Sequence, residues 1–327
     1  TYSIPSTVAG NASMKPPQAQ QTLRRSKVEE TSNQSLSVFS VEIHATSRLN
    51  MRPNPAHDPI EAIFFTIQMN AQKPNYESGM LMVEHEGEPK YDEPNSYTKH
   101  YPSEKALLIA FIDLIHSLDP DIILGFEAQT QSLGYIVERS SVVLGHNICK
   151  KISRAIHKEL QNEHLHFRDE WGRMKQSGIH IRGRIVLNVW RALRHEVKLN
   201  IYTFENVAFH VLGRRFPFLS HQTRTKWYKW QEDDANTHQQ RATVILYYKK
   251  RTKANLELLY HLDFINRVAQ LAQVFGIEFF SVISRGSQFK VESMFIRLAK
   301  PRNYIVMSPS REQVRQQNAI ECLPLVM

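Results

Sequence analysis

Cysteine is nearly absent: Cys149 and Cys322 are the only two in 327 residues. Two thiols can build neither a disulfide framework nor a four-cysteine metal site, which favours a reducing compartment. No apolar run approaches the ~20 residues that a membrane-spanning helix needs. Residues Thr1 to Asn11 lack the basic-then-apolar layout of a signal peptide, and the missing initiator Met suggests a piece of a longer chain. Neither a phosphate-cradling glycine loop nor a nucleophile triad is visible. His157, His164 and His166 lie close together, but no cysteine or second cluster completes a metal set, so they read as satisfied or exposed side chains. Carboxylates are scarce in three stretches. Glu42 is the only Asp or Glu between Leu36 and His57, Glu127 the only one between Gly125 and Val137, and none lies between Arg241 and Asn255.

What is present has an ordinary globular balance. Hydrophobic residues make up 42% of the chain, and this length can bury one large core or two modest ones. The formal charge, 41 − 32 = +9, suits a polyanionic partner. Residues 1–35 are rich in Pro, Ser, Gln and Asn and read as a disordered leader. From Ser37 to His44 the pattern alternates: Phe39, Val41 and Ile43 take one face, and Ser40, Glu42 and His44 the other, as in a strand. Glu61 to Met69 and Met80 to Val83 read as further strands, the first able to pair with Ser37–His44. Ser103 is placed to cap a helix whose apolar stripe includes Leu107, Leu108, Phe111 and Leu114, ending at Asp119-Pro120. Asp121 to Leu124 reads as a buried strand before a turn at Gly125. The expectations beyond it are a strand over Ile179–Asn188, helices near Val189–Arg194 and Thr203–Leu212, and a polar, aromatic loop over 214–240. One long helix from Ala242 to Phe275 follows, ended by Gly276. A strand after 277, a turn at Ser284-Arg285-Gly286 and a helix over 289–299 complete the reading. Strands alternating with helices argue for an α/β domain.

The three carboxylate-poor stretches coincide with three motifs. Phe39-Ser40-Val41-Glu42 stands where an F-D-x-E pattern would put an aspartate at position 40. Gly125 to Ser132 stands where G-Y-N-x-x-x-F-D would put one at 132. Tyr247 to Arg251 stands where Y-x-x-x-D would put one at 251. In frame these resemble the metal-binding motifs of the proofreading 3′→5′ exonuclease domain of family B DNA polymerases. Tyr202 to Gly213 is similar to that family's Y-(T/S)-L-x-x-V-(A/S)-x-x-x-L-G segment, Ser284 to Ser293 to the stretch leading toward its palm, and Arg302 to Ile305 and Cys322 to Met327 to the approach to its first polymerase motif. Within the family the combination is most similar to the zeta type.

The resemblance implies a ribonuclease-H-like exonuclease fold with a mixed sheet flanked by helices. It divides the chain into a leader (1–35), an exonuclease-like domain (36–280) and a connecting segment toward the palm (281–327). It implies a nuclear translesion DNA polymerase as the parent, with primer–template DNA and accessory subunits as partners and no membrane. The polymerase motifs D-x-x-S-L-Y-P and Y-x-D-T-D do not occur in this stretch. No cofactor is expected here; magnesium, zinc and an iron–sulfur cluster belong to other parts of such a parent.

Two-metal exonuclease chemistry needs several carboxylates to offset the cations. With Ser40, Ser132 and Arg251 at three of the four acidic positions, no catalytic set and no metal site is expected intact. Arg251 either pairs with Glu42 across the old metal site or extends to solvent. Tyr247 reads as packing more than as a catalytic water contact. Lys249-Lys250-Arg251-Thr252-Lys253 resembles an import signal but falls inside the expected helix, where a solvated basic face is the simpler reading. For DNA contact the candidates are Arg285, Gln288 and Lys290, whose donors suit phosphates, and Lys226 and Trp227. The last two belong to an aromatic–basic run with Arg224, Tyr228, Lys229 and Trp230, to which Trp190 adds a further ring; such a run could stack on single strands or pack on the domain. Two other functions stand beside the non-cutting domain: a docking module for accessory subunits, and a nuclease with relocated ligands such as Glu42 and Glu127.

Overall fold

A computed structural model describes residues 35–48, 51–92, 96–155, 179–230, 236–306, 310, 312, 315 and 316. Nearly all of the expected leader, the three clustered histidines and Cys322 to Met327 lie outside these residues.

Alternating strand sequences form the centre. Strands β1 (Val38–Ala45), β2 (Ile60–Gln68), β3 (Glu77–Val83), β4 (Tyr97–Tyr101), β5 (Ile122–Gly125) and β6 (Ile185–Asn188) make one mixed sheet in the order β4-β3-β2-β1-β5-β6. β1, β2 and β3 pair antiparallel, while β1–β5, β5–β6 and β3–β4 pair parallel. The parallel β1–β5 step is bridged by helix α1 (Glu104–Leu118), which follows β4 and packs on the sheet. Ser103 caps α1, its Oγ accepting from the Ala106 N–H, and Asp119 closes it in a left-handed conformation (φ 42°). Helix α2 (Leu133–Val143) lies beside it. Arg139 on α2 grips Glu104 through both carboxylate oxygens at 2.8 and 2.9 Å, and Glu104 also accepts from the Ile60 N–H of β2.

The alternation along β1 separates two layers. Phe39, Val41 and Ile43 bury against α1 and α2 in one core. Ser40, Glu42 and His44 bury on the opposite face, which is covered by the 25-residue helix α6 (Thr237–His261). Helices α3 (Val189–Glu196), α4 (Phe204–Leu212), α5 (His221–Tyr228), α7 (Phe264–Phe275), α8 (Phe279–Ser284) and α9 (Ser287–Ala299) follow in the chain, with a 3-10 turn at Lys300–Arg302. α3, α4, α6, α7 and α8 share a second core with β5 and β6, and α5 and α6 share a third with β2 and β3. No described helix is long and apolar enough to cross a membrane.

Several expectations need correction. The single long helix is two, broken where Asp263 takes a left-handed conformation (φ 46°). The Ile179–Asn188 strand shrinks to Ile185–Asn188 because Gly183, at φ 79°, turns the chain. The polar loop 214–240 contains α5, capped by Ser220, whose Oγ accepts from the Thr223 N–H. The expected strand after 277 is helix α8, which buries Phe279 and Val282 at an i, i+3 spacing. Edge strand β4 was not expected, and neither was α2.

Gly125, the expected turn residue, ends β5 and has no positive φ. Its requirement is space: a Cβ there would lie 2.0 Å from the Ser132 Oγ and 3.0 Å from the Val41 carbonyl. Gly125→Ala is therefore expected to destabilise the chain by about 1–3 kcal/mol, the usual cost of overpacking. Because the nearest atoms belong to Ser132, adding Ser132→Gly should recover part of that loss in a double-mutant cycle read from urea midpoints.

Candidate functional site

β1 presents Ser40, Glu42 and His44 to α6, and α6 answers with one helical row: Tyr247, Arg251 and Asn255, spaced by four. β5 ends beside β1 and delivers the Phe126 N–H and the loop to Ser132. Glu42, which is 3% exposed, is the centre of these contacts. Its Oε1 accepts from the Phe126 N–H (3.0 Å) and from Asn255 Nδ2 (2.9 Å). The Asn255 amide also reaches the Ser40 Oγ at 3.3 Å. The Glu42 Oε2 faces the Arg251 Nε at 3.4 Å. Arg251 is 8% exposed, so the solvent-facing alternative does not hold. Its Nη1 donates to the Tyr247 hydroxyl at 3.0 Å, and its guanidinium lies 4.5 Å from the Phe204 ring centre. Burial lowers the pKa of Arg251, but Glu42 and Tyr247 outweigh it and hold the pKa above the ordinary arginine value.

The pair is not fully satisfied. The Arg251 Nε–H, Asn255 Oδ1 and Ser132 Oγ are buried without a hydrogen-bond partner. Ser132 stands at the start of α2 without capping it. Toward the other end of β1, His44 is buried between Tyr228 (ring centres 4.1 Å) and Tyr248 (5.6 Å). Burial, then Arg224, Arg241 and His221, push its pKa down to about 3. His221 is pushed down to about 4 by burial and then by Arg224, Arg52 and Arg251.

These residues do not fit a divalent metal. Glu42 contributes one carboxylate whose oxygens are already engaged, Ser40 and Ser132 contribute neutral hydroxyls, and Arg251 sets a fixed positive charge against Glu42. Glu127 does not substitute: its Oε2 accepts from Thr130 and Gln131 of its own loop at 3.1 and 2.8 Å. Among the described residues no group of three or more His, Cys, Asp or Glu side chains could hold a metal ion.

The DNA-contact candidates lie elsewhere. Lys226 is exposed on α5, while Trp227 packs against the third core and Tyr228 is buried in it, so the aromatic run serves packing more than open stacking. Trp190 is half-buried under Arg194, 4.8 Å from the ring centre. Arg285 is exposed at the α8–α9 corner against Phe289, Gln288 bonds Glu292 within α9, and Lys290 is half-buried. The basic run 249–253 is not a continuous face, since Arg251 and Thr252 turn inward. Asn255 was overlooked, although its spacing from Tyr247 and Arg251 marks it as the next residue on that face. Arg52 and His221 were overlooked too, with no local pattern to reveal them.

Residues 8–207 match the family described as DNA polymerase family B, exonuclease domain. The chain belongs to this family. It is similar to the DNA polymerase zeta catalytic subunit of Homo sapiens, 38% identical over 90% of this chain and 10% of that protein. The corresponding Arabidopsis thaliana protein is 37% identical over 90% of this chain and 17% of its own length. A DNA polymerase delta catalytic subunit from Oryza sativa subsp. japonica shares 24% over 82% of this chain and 23% of its own length. The chain thus spans 10% to 17% of the length of these zeta-type relatives.

Two outcomes follow. Glu42→Gln keeps an acceptor for Phe126 and Asn255 but leaves Arg251 buried and uncompensated. It should cost about 3–5 kcal/mol, and Glu42→Gln with Arg251→Met should cost less than Glu42→Gln alone; urea midpoints would show both. The second concerns acid. His44 has a folded pKa near 3 against an ordinary 6.5, so below 6.5 the unfolded chain takes up a proton that the folded chain refuses. Stability should fall as pH drops from 6.5 toward 3, at up to about 1.4 kcal/mol per pH unit. Stability measured across this range should show a shallower acid slope in His44→Phe, with His221 supplying part of what remains.

Proposed function

We propose that this chain is the non-cutting exonuclease-like region of a zeta-type family B DNA polymerase. In this reading it holds the polymerase core in shape and flanks the DNA without excising mismatched primer ends, so that those ends persist and can be extended by a nuclear translesion polymerase. The observation that carries it is the buried Arg251 guanidinium set against Glu42, the one motif carboxylate retained. Magnesium for synthesis, and zinc and an iron–sulfur cluster, would belong to other parts of such a polymerase.

A second reading, docking of another protein surface, is favoured by α9. None of its residues is buried, and Phe289, Val291, Phe295, Ile296 and Leu298 are 42–60% exposed. The helix is tied to α7 by Ser293 donating to the Phe275 carbonyl and Arg297 donating to those of Gln273 and Val274. Its open apolar side suits the palm of the same polymerase or an accessory subunit.

Manganese calorimetry beside degradation of a labelled single-stranded oligonucleotide tests the first reading. The expected result is neither metal binding nor shortening of the strand. Metal-dependent shortening that disappears in Glu42→Ala would overturn it and restore the relocated-ligand nuclease.

A further inference from the structure

Two cavities meet at the old metal site. The inner one, about 250 Å³, lies between β1, the loop at Arg52–Pro53, α5 and α6. The outer one, about 530 Å³, opens past Trp190, Phe204 and Phe218. They share Arg52, Gln131, His221, Arg224 and Arg251, so the neck between them is lined by three guanidinium groups. Among the residues lining the inner cavity, those three cations face one carboxylate, Glu42, for a balance of 3 − 1 = +2. Glu42 is already held by Phe126, Asn255 and Arg251. The outer cavity adds Arg194 and two carboxylates, Glu127 and Glu205.

The side chains around the neck add to this. Arg251 is buried in the cavity wall, where its Nε faces Glu42 at 3.4 Å without closing a hydrogen bond, and His44 Nε2, on a residue of the inner wall, has no partner. Arg224 is fixed in place, bonding Tyr248 and His221. Arg52 is exposed at the rim. Converging guanidinium groups with planar donors are the side chains best matched to phosphate oxygens. The depressed pKa of His221, to which all three arginines contribute after burial, reports the same positive field.

We propose that this neck is a metal-independent binding site for a phosphate-class oxyanion, either a free nucleoside monophosphate or the terminal phosphate of a single strand. Resting on the non-cutting reading, the proposal adds that the charge of the site has been inverted: a pocket fit for cations in an active exonuclease here takes the anion directly.

The test uses the 327-residue chain in EDTA. Calorimetry with inorganic phosphate is followed by competition with dAMP and with a short oligothymidylate, with and without a 5′ phosphate. Phosphate should bind without metal. Arg52→Gln, which alters only an exposed side chain, should weaken it about fivefold. Arg52→Gln with Arg224→Gln, which takes the inner-cavity balance from +2 to 0, should weaken it further. Lys105→Gln, on the far face of the sheet, should leave it unchanged. Competition by dAMP assigns the site to free nucleotides, and competition only by the phosphorylated strand assigns it to strand ends. No binding in EDTA, or binding equal in all three variants, overturns the proposal. No binding with or without manganese sinks this inference alone and leaves the non-cutting reading intact. Binding that requires manganese overturns both.

Discussion

The contact between Glu42 and Arg251 is the constraint on which this half of the molecule depends. A carboxylate that is almost fully buried must be compensated, and three groups supply that compensation: the Phe126 N–H just past β5, Asn255 one turn further along α6, and the guanidinium itself, also on α6. The loop and the helix fix different relations. The Phe126 bond sets the depth of the loop that leaves β5, and the Asn255 and Arg251 contacts set the axial register of α6 over the sheet. The same face carries the Thr66–Thr252 hydroxyl bond at 2.8 Å and the Phe64–Tyr248 stack at 5.0 Å, so polar and aromatic contacts lock that register on both sides of the pair. In water a lone ion pair contributes little; here its weight comes from the cost of leaving either charge alone in the interior.

Much of this was legible in the chain itself. The two-residue period of Phe39 to His44 correctly assigned the two faces of β1, because a strand buried on both sides still separates its apolar and polar rows. Ser103 announced α1 through capping chemistry that acts over three residues. Local signals of that kind survive in sequence. The failures have a common cause in non-local packing. The break at Leu262-Asp263 was hidden by an apolar stripe that runs through it, although an aspartate adopting a left-handed conformation is enough to start a new helix. The Phe-Phe-Ser-Val-Ile stretch at 279–283 has strand-like composition, yet it is helical because Phe279 and Val282 join the second core beside α7.

The site shows the same division. Motif positions 40, 42, 132, 247 and 251 were readable because a family frame supplied their spacing, and the pairing of Arg251 with Glu42 could be anticipated from charge alone. Asn255 could have been read from helical periodicity. Arg52 and His221 could not, since they reach the neck from a loop and a short helix far apart in sequence, and only the folded chain brings them together. Of the readings open for the aromatic–basic run at 224–230, packing describes Trp227 and Tyr228, which join the third core, while Lys226 and Lys229 face outward.

The inward-turned guanidinium has a consequence for how this domain could change over generations. A substitution of Ser40 to aspartate, made alone, would set two carboxylates against the resident guanidinium, a balance of 1 − 2 = −1 that is small beside the charge of a divalent metal. Removing the guanidinium first would strand Glu42 in the interior. If metal chemistry has been lost, the paths by which it could be regained pass through intermediates that are either weakly charged or poorly folded. On the proposed non-cutting reading, the loss of cutting chemistry would behave as a ratchet, held by the fold itself and independent of any selection against cutting.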